Sequence, residues 1–166
     1  MPEAIEVRAD KGFVNLRGNL ANAAFVRKTE AILEQPLPRE ANRLTENAHR
    51  IYWLAPDEWL VVTSLESTPG LCERLERSLA GMHAAVNDVS GGNAAIRLEG
   101  THARRVLATG CTLDFHDSVF KPGHCAQSGI AKTNVLIGLL DPAPSFELIV
   151  RRSFANYLRR WLNHAA

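Results

Sequence analysis

The chain has 166 residues, 46% hydrophobic and 22% charged, a balance that fits one ordinary globular domain and excludes disordered and fibrous classes. Nineteen basic against eighteen acidic side chains leave a formal charge of +1, so no chain-wide field exists to hold a nucleic-acid backbone or an anionic membrane. No apolar run reaches the roughly 20 residues of a membrane span, and Met1-Pro2-Glu3-Ala4-Ile5-Glu6 lacks a basic-then-apolar leader pattern, so a cytoplasmic location is expected.

In chain order, Phe13-Val14-Asn15-Leu16-Arg17 alternates like a half-buried strand and is punctuated by Gly18. Residues 22–34 then form a helix capped by Asn22, with Phe25, Ile32 and Leu33 on one face, stopped by Gln35-Pro36-Leu37-Pro38. Strands at 50–54 and 59–64 make a hairpin through Ala55-Pro56-Asp57-Glu58. A second helix starts near Pro69-Gly70, stacks Leu71, Leu75 and Leu79 on one face, and ends at Gly81. Ala85-Val86-Asn87-Asp88-Val89 reads as an extra strand, and Ser90-Gly91-Gly92-Asn93 as a tight connection, since it fits neither glycine-rich phosphate motif.

The order then repeats. The strand Ala95-Ile96-Arg97-Leu98-Glu99-Gly100 lies 82 positions after Phe13 to Gly18, and Thr101 is expected to cap a helix bearing Ala103, Val106 and Leu107. After an irregular stretch come a strand at 134–139, the turn Asp141-Pro142-Ala143-Pro144 and a strand at 146–150. The last helix places Phe154, Tyr157, Leu158, Trp161 and Leu162 on one buried face, with Ser153 as its expected cap. Two pseudo-repeated βαββα units, about 13–81 and 93–164, therefore predict a single α+β domain over 1–166, with largely antiparallel sheets covered by helices.

Candidate chemistry is sparse. Cys72, Cys111 and Cys125 are odd in number and contain no C-x-x-C, so reduced, buried thiols are expected. Cys111, His116, His124 and Cys125 have zinc-ligand chemistry, but their spacing matches no finger and adjacent ligands strain one metal's geometry; structural packing is preferred. Cys125 beside His124 makes a poor nucleophile–base pair, because neighbours on a strand face opposite ways. Asp57 with Glu58, and Asp114 with Asp117, read as turn residues rather than acid–base pairs. No catalytic, cofactor or metal residue is assigned. Arg151, Arg152, Arg159, Arg160 and Trp161 remain as either a solvated helix face or a partner-binding rim.

The run Trp53-Leu54-Ala55-Pro56-Asp57-Glu58-Trp59-Leu60-Val61 resembles the W-L-G-P-D-E-W-L motif of sarcosine oxidase gamma subunits, with Ala55 where the family has glycine. Further likeness lies in Asp88-Val89-Ser90, Gly110-Cys111, Leu113-Asp114 with His116, Phe120 with Gly123, Cys125-Ala126-Gln127 and Arg152-Ser153-Phe154-Ala155, then Tyr157-Leu158 and Trp161-Leu162. This resemblance implies a fold like the folate-binding domain of aminomethyltransferase. It also implies a non-catalytic structural subunit of a heterotetramer that demethylates sarcosine to glycine and hydrogen peroxide, passing the one-carbon unit to tetrahydrofolate. NAD, FAD, FMN, tetrahydrofolate and zinc are then expected in the alpha, beta and delta subunits, with alpha the chief partner, and none in this chain. The alternatives are a stand-alone folate-binding or one-carbon transfer protein, and a thiol- or zinc-dependent enzyme using the loop from Cys111 to Cys125.

Overall fold

A computed structural model describes residues 3–166; Met1 and Pro2, part of the leader reading, lie outside the described residues. In chain order the elements are β1 (Ala4–Arg8), β2 (Lys11–Arg17), α1 (Ala23–Leu33), β3 (Leu44–Glu46), β4 (Arg50–Ala55), β5 (Glu58–Ser64), α2 (Thr68–Leu79) and β6 (Ala85–Asp88). There follow β7 (Asn93–Glu99), α3 (Ala103–Ala108), β8 (Cys125–Ile130), β9 (Thr133–Asp141), β10 (Ser145–Arg151) and α4 (Ala155–Ala165). They divide into two compact units, Asp10–Gly91 and a discontinuous one made of 1–9 with 92–166.

The unit Asp10–Gly91 is an antiparallel sheet in the order β3-β4-β5-β2-β6 with α1 and α2 against it. Alternation along the strands sends Val14 and Leu16 of β2, Ile51 of β4, and Trp59 and Val61 of β5 into one core with Phe25, Leu33, Leu71, Leu75 and Leu79 of the helices. Asn22 caps α1 as its residue type predicts, its Oδ1 accepting from the amides of Ala24 at 3.0 Å and Phe25 at 3.3 Å. Trp59 is fully buried beside Phe25, and its indole N–H donates to the Pro38 carbonyl at 2.8 Å. The Pro-containing stop after α1 is thereby tied to the hairpin.

In the second unit the sheet runs β1-β7-β10-β9-β8, again antiparallel throughout, with α3 and α4 packed on it. Reading it from the far edge gives the same arrangement as the first unit. β8, β9, β10 and β7 take the places of β3, β4, β5 and β2, and β1 takes that of β6. The repeat predicted from sequence is therefore present, and each βαββα set gains edge strands that the sequence reading left out: β1, β3 and β8. β8 (Cys-Ala-Gln-Ser-Gly-Ile) carries little strand signal of its own, because Gln127 and Ser128 are polar and Gly129 has a low strand propensity.

Three local expectations are corrected. Ser153 does not cap α4, because 152–154 coil into a 3-10 turn and no side chain bonds the first turn. Thr101 does not cap α3: His102 stands at that position, and its amide donates to the Glu3 carboxylate at 2.9 Å. The buried stripe of α4 is narrower than expected, since Leu158 and Leu162 are buried whereas Phe154 and Tyr157 stay 44% and 37% exposed.

Trp59→Ala should cost about 3–5 kcal/mol in equilibrium denaturation, as for a large aromatic removed from a closed core. A loss below about 1 kcal/mol would contradict the packing described.

His49 supplies a second test. Its amide donates to Gln35 Oε1 at 2.9 Å and its ring Nδ1 lies 3.1 Å from Thr63 Oγ1. Burial, and then the positive charge of Arg74, push the imidazole below its ordinary 6.5, with Glu34 opposing. Because the unfolded chain binds the proton more readily, stability is full above that ordinary value and falls as pH drops through the folded one. His49→Gln should flatten the slope of stability between about pH 7 and pH 5; an unchanged slope would show that His49 is not its source.

Candidate protein interface

The Trp-Leu-Ala-Pro-Asp-Glu-Trp motif builds the β4–β5 hairpin. Trp53 and Trp59 are cross-strand partners, and a bulge next to Ala55 turns the chain so that Ala55 faces Glu58. Glu58 Oε1 accepts from Asn15 Nδ2 at 2.7 Å, and its other oxygen lies 3.4 Å from Arg17. The Asp57 carbonyl accepts from the Gly18 amide at 3.0 Å. Asp57 and Glu58 thus fasten β2 to the hairpin.

The segment from Cys111 to Cys125 is held by packing. Arg104 donates to the carbonyls of Phe115 at 2.5 Å and Phe120 at 2.9 Å, and its guanidinium sits 5.8 Å from the Phe146 ring centroid. Phe115 meets Phe146 edge-on at 5.8 Å and Phe120 at 5.5 Å, so the aromatic cluster closes over the same guanidinium. The four ligand-type residues do not converge. Cys125 is buried at the start of β8, and Cys111 is buried with its thiol 3.6 Å from Ser128 Oγ. His116 is exposed, bonding Ser118 at 2.7 Å and Asp117 at 3.3 Å, while His124 packs on Phe120. Asp114 closes an Asx turn onto the His116 amide at 2.8 Å. Among the described residues no three His, Cys, Asp or Glu side chains could jointly hold a metal ion. Cys72 lies elsewhere, its thiol pushed up by burial and by Asp88 and Glu76, which favours the unreactive protonated form.

A shallow cleft of about 660 Å³ lies beside this segment, between α3 and the turn at Pro142 and Pro144. Its lining is mixed, with Arg105 and His116 beside Asp114 and Asp117, and Arg104 is already committed to the two carbonyls. Ser90 is used within the fold, its hydroxyl accepting from the buried Phe13 amide at 2.9 Å.

The predicted arginine rim surrounds α4. Arg151, Arg152, Arg159 and Arg160 are all exposed, whereas Trp161 is half-buried against the core of its unit and lies over Gly110. Phe154 and Tyr157, expected in the core, are the aromatics that reach solvent. The sequence signal for this surface was charge segregation: no carboxylate follows Glu147. No helix among the described residues is long and apolar enough to cross a membrane.

Solved structures place the fold. A chain of the heterotetrameric sarcosine oxidase from Corynebacterium sp. U-96, solved with pyrrole 2-carboxylate, superposes with a TM-score of 0.90 at 24% identity, covering 98% of this chain and 83% of that one. Aminomethyltransferase T of the glycine cleavage system from Bartonella henselae superposes at 0.71 with 16% identity, over 96% of this chain and 45% of that one. The regulatory subunit of aspartate kinase from Thermus thermophilus follows at 0.52 and 14%, over 98% and 97% of the two chains. At these identities the likeness is one of fold, and it defines an α+β class of paired antiparallel sheets that includes aminomethyltransferase. Residues 17–166 match the sarcosine oxidase gamma subunit family, and the chain belongs to that family. Compared by sequence with curated proteins, it has no match.

A Cβ on Gly110 would approach the Trp161 ring to 2.4 Å. Gly110→Ala should therefore destabilise by about 1–3 kcal/mol through overpacking, and Trp161→Leu in the same chain should restore part of the loss. A neutral single substitution in thermal melts would contradict this contact.

Proposed function

We propose that the chain is a non-catalytic, structural subunit of a cytoplasmic heterotetrameric sarcosine oxidase, docked chiefly on the alpha subunit. The observation that carries this reading is the family match over residues 17–166. The likeness in fold to a chain of a heterotetrameric sarcosine oxidase supports it. So does the use of the hairpin motif residues, which fasten β2 to the β4–β5 hairpin rather than present a reactive pair. In this reading the flavins, NAD, tetrahydrofolate and zinc belong to the alpha, beta and delta subunits, and this chain shapes and stabilises the assembly.

Coexpression of the tagged chain with the other three subunits is expected to yield a stoichiometric, flavin-coloured complex that releases hydrogen peroxide with sarcosine. Leaving this chain out should lower the recovery of active complex. A chain recovered alone beside folded partners, or a fully active complex assembled without it, would overturn the reading.

A further inference from the structure

Charge in this chain is segregated. Residues 151–166 carry four arginines and no Asp or Glu, so the remaining 150 residues hold fifteen basic against eighteen acidic side chains, a formal −3. Helix stability does not account for the arrangement. Arg151 and Arg152 stand just before the N-terminus of α4, where the helix dipole disfavours cations, and Arg159 and Arg160 sit in its middle turns. Three of the four lack a neutralising partner: among the described residues Arg151, Arg159 and Arg160 form no ion pair, and the Arg159 side chain reaches only Asn156 Oδ1 at 3.4 Å.

Apolar surface lies among these charges. Tyr157 and Arg160 are three apart on α4 and neighbour each other on its surface, and Phe154, three residues before Tyr157 in the 3-10 turn that leads into the helix, extends that row. Two of that row are aromatics 44% and 37% exposed, next to a half-buried Trp161 that packs on the core instead. Exposed aromatics beside arginines make the composition of an interface centre rather than of a solvated helix face. All four cations are arginine and none is lysine, which suits planar, two-pronged recognition of carboxylate or phosphate groups, and on a protein partner the carboxylates are those of Asp and Glu.

We propose that Arg151, Arg152, Phe154, Tyr157, Arg159 and Arg160 form the docking surface of this chain, and that its occupant is an acidic patch with an apolar recess on another oxidase subunit. This rests on the subunit reading above and names the surface and the chemistry of the partner. Trp161 holds α4 in place from behind and is not itself a contact.

The test measures affinity of the full chain for the purified complex of the remaining subunits. Arg151→Glu with Arg152→Glu, and separately Arg159→Glu with Arg160→Glu, should each weaken binding about tenfold or more, and Tyr157→Ala should weaken it by a similar factor. Wild-type affinity should also fall about tenfold between about 50 mM and about 500 mM salt, as screening removes the attraction. Tyr157→Ala changes no charge and so keeps the surface testable even if a charge-reversed chain fails to fold. Wild-type chain that assembles with salt-independent affinity, and charge-reversed chains that bind as wild type, would overturn this docking surface while leaving the subunit reading intact. Wild-type chain that does not assemble at all would overturn both. Charge reversal that abolishes retention of duplex DNA while leaving assembly unchanged would assign the arginines to a phosphate backbone instead.

Discussion

Each unit depends on the burial of one face of a twisted antiparallel sheet under two amphipathic helices. A five-stranded sheet cannot leave a row such as Val14, Leu16, Ile51, Trp59 and Val61 in water, and α2, with Leu71, Leu75 and Leu79 on one side, buries its apolar face against that row. The same condition recurs in the second unit, where Ile96, Leu98, Leu148 and Val150 lie under Leu158 and Leu162. Loop anchors, caps and the arginine row all take their positions from this arrangement.

Edge strands are the variable part of the repeat. In the first unit the edge beside β2 is closed by β6, which follows α2; in the second the edge beside β7 is closed by β1, from the start of the chain. The second unit is consequently discontinuous in sequence, and the chain builds the whole of Asp10–Gly91 between its two parts. Glu3 fastens this strand by accepting from the His102 amide, supplying the cap that α3 lacks from its own residues.

The residues that carry the family likeness meet the residues offered to a partner only near the end of the sequence, in Arg152, Phe154 and Tyr157. Trp53, Trp59 and Glu58 set the hairpin, and Phe115, Phe120 and Arg104 close the loop after α3. A motif can thus be diagnostic of a family while its side chains face inward. The proposed docking row uses polar and aromatic groups that the fold leaves in solvent, and its chemistry is read from charge and exposure.

Much of the architecture was legible in the sequence because period-two and period-3.6 patterns report which face of an element is buried. β2, the β4–β5 hairpin, α1 with its Asn22 cap, α2, and the offset repeat of β7, β9, β10 and α4 all follow from such patterns. The three-residue β3, the edge strand β1 and the polar, glycine-containing β8 were not legible. Edge strands owe their existence to backbone hydrogen bonds with a neighbour distant in sequence, and those leave no local signature. The Cys111–Cys125 loop showed the same limit: spacing could propose a ligand cluster, and only the arginine clamp and aromatic packing decided where each side chain went. Composition and periodicity determined the α+β class, the repeat and the arginine-rich end. Tertiary structure decided that Trp161 packs inward and that Phe154 and Tyr157 face water, because α4 presents Leu158 and Leu162 to the core and a helix can bury only the side that its sheet covers.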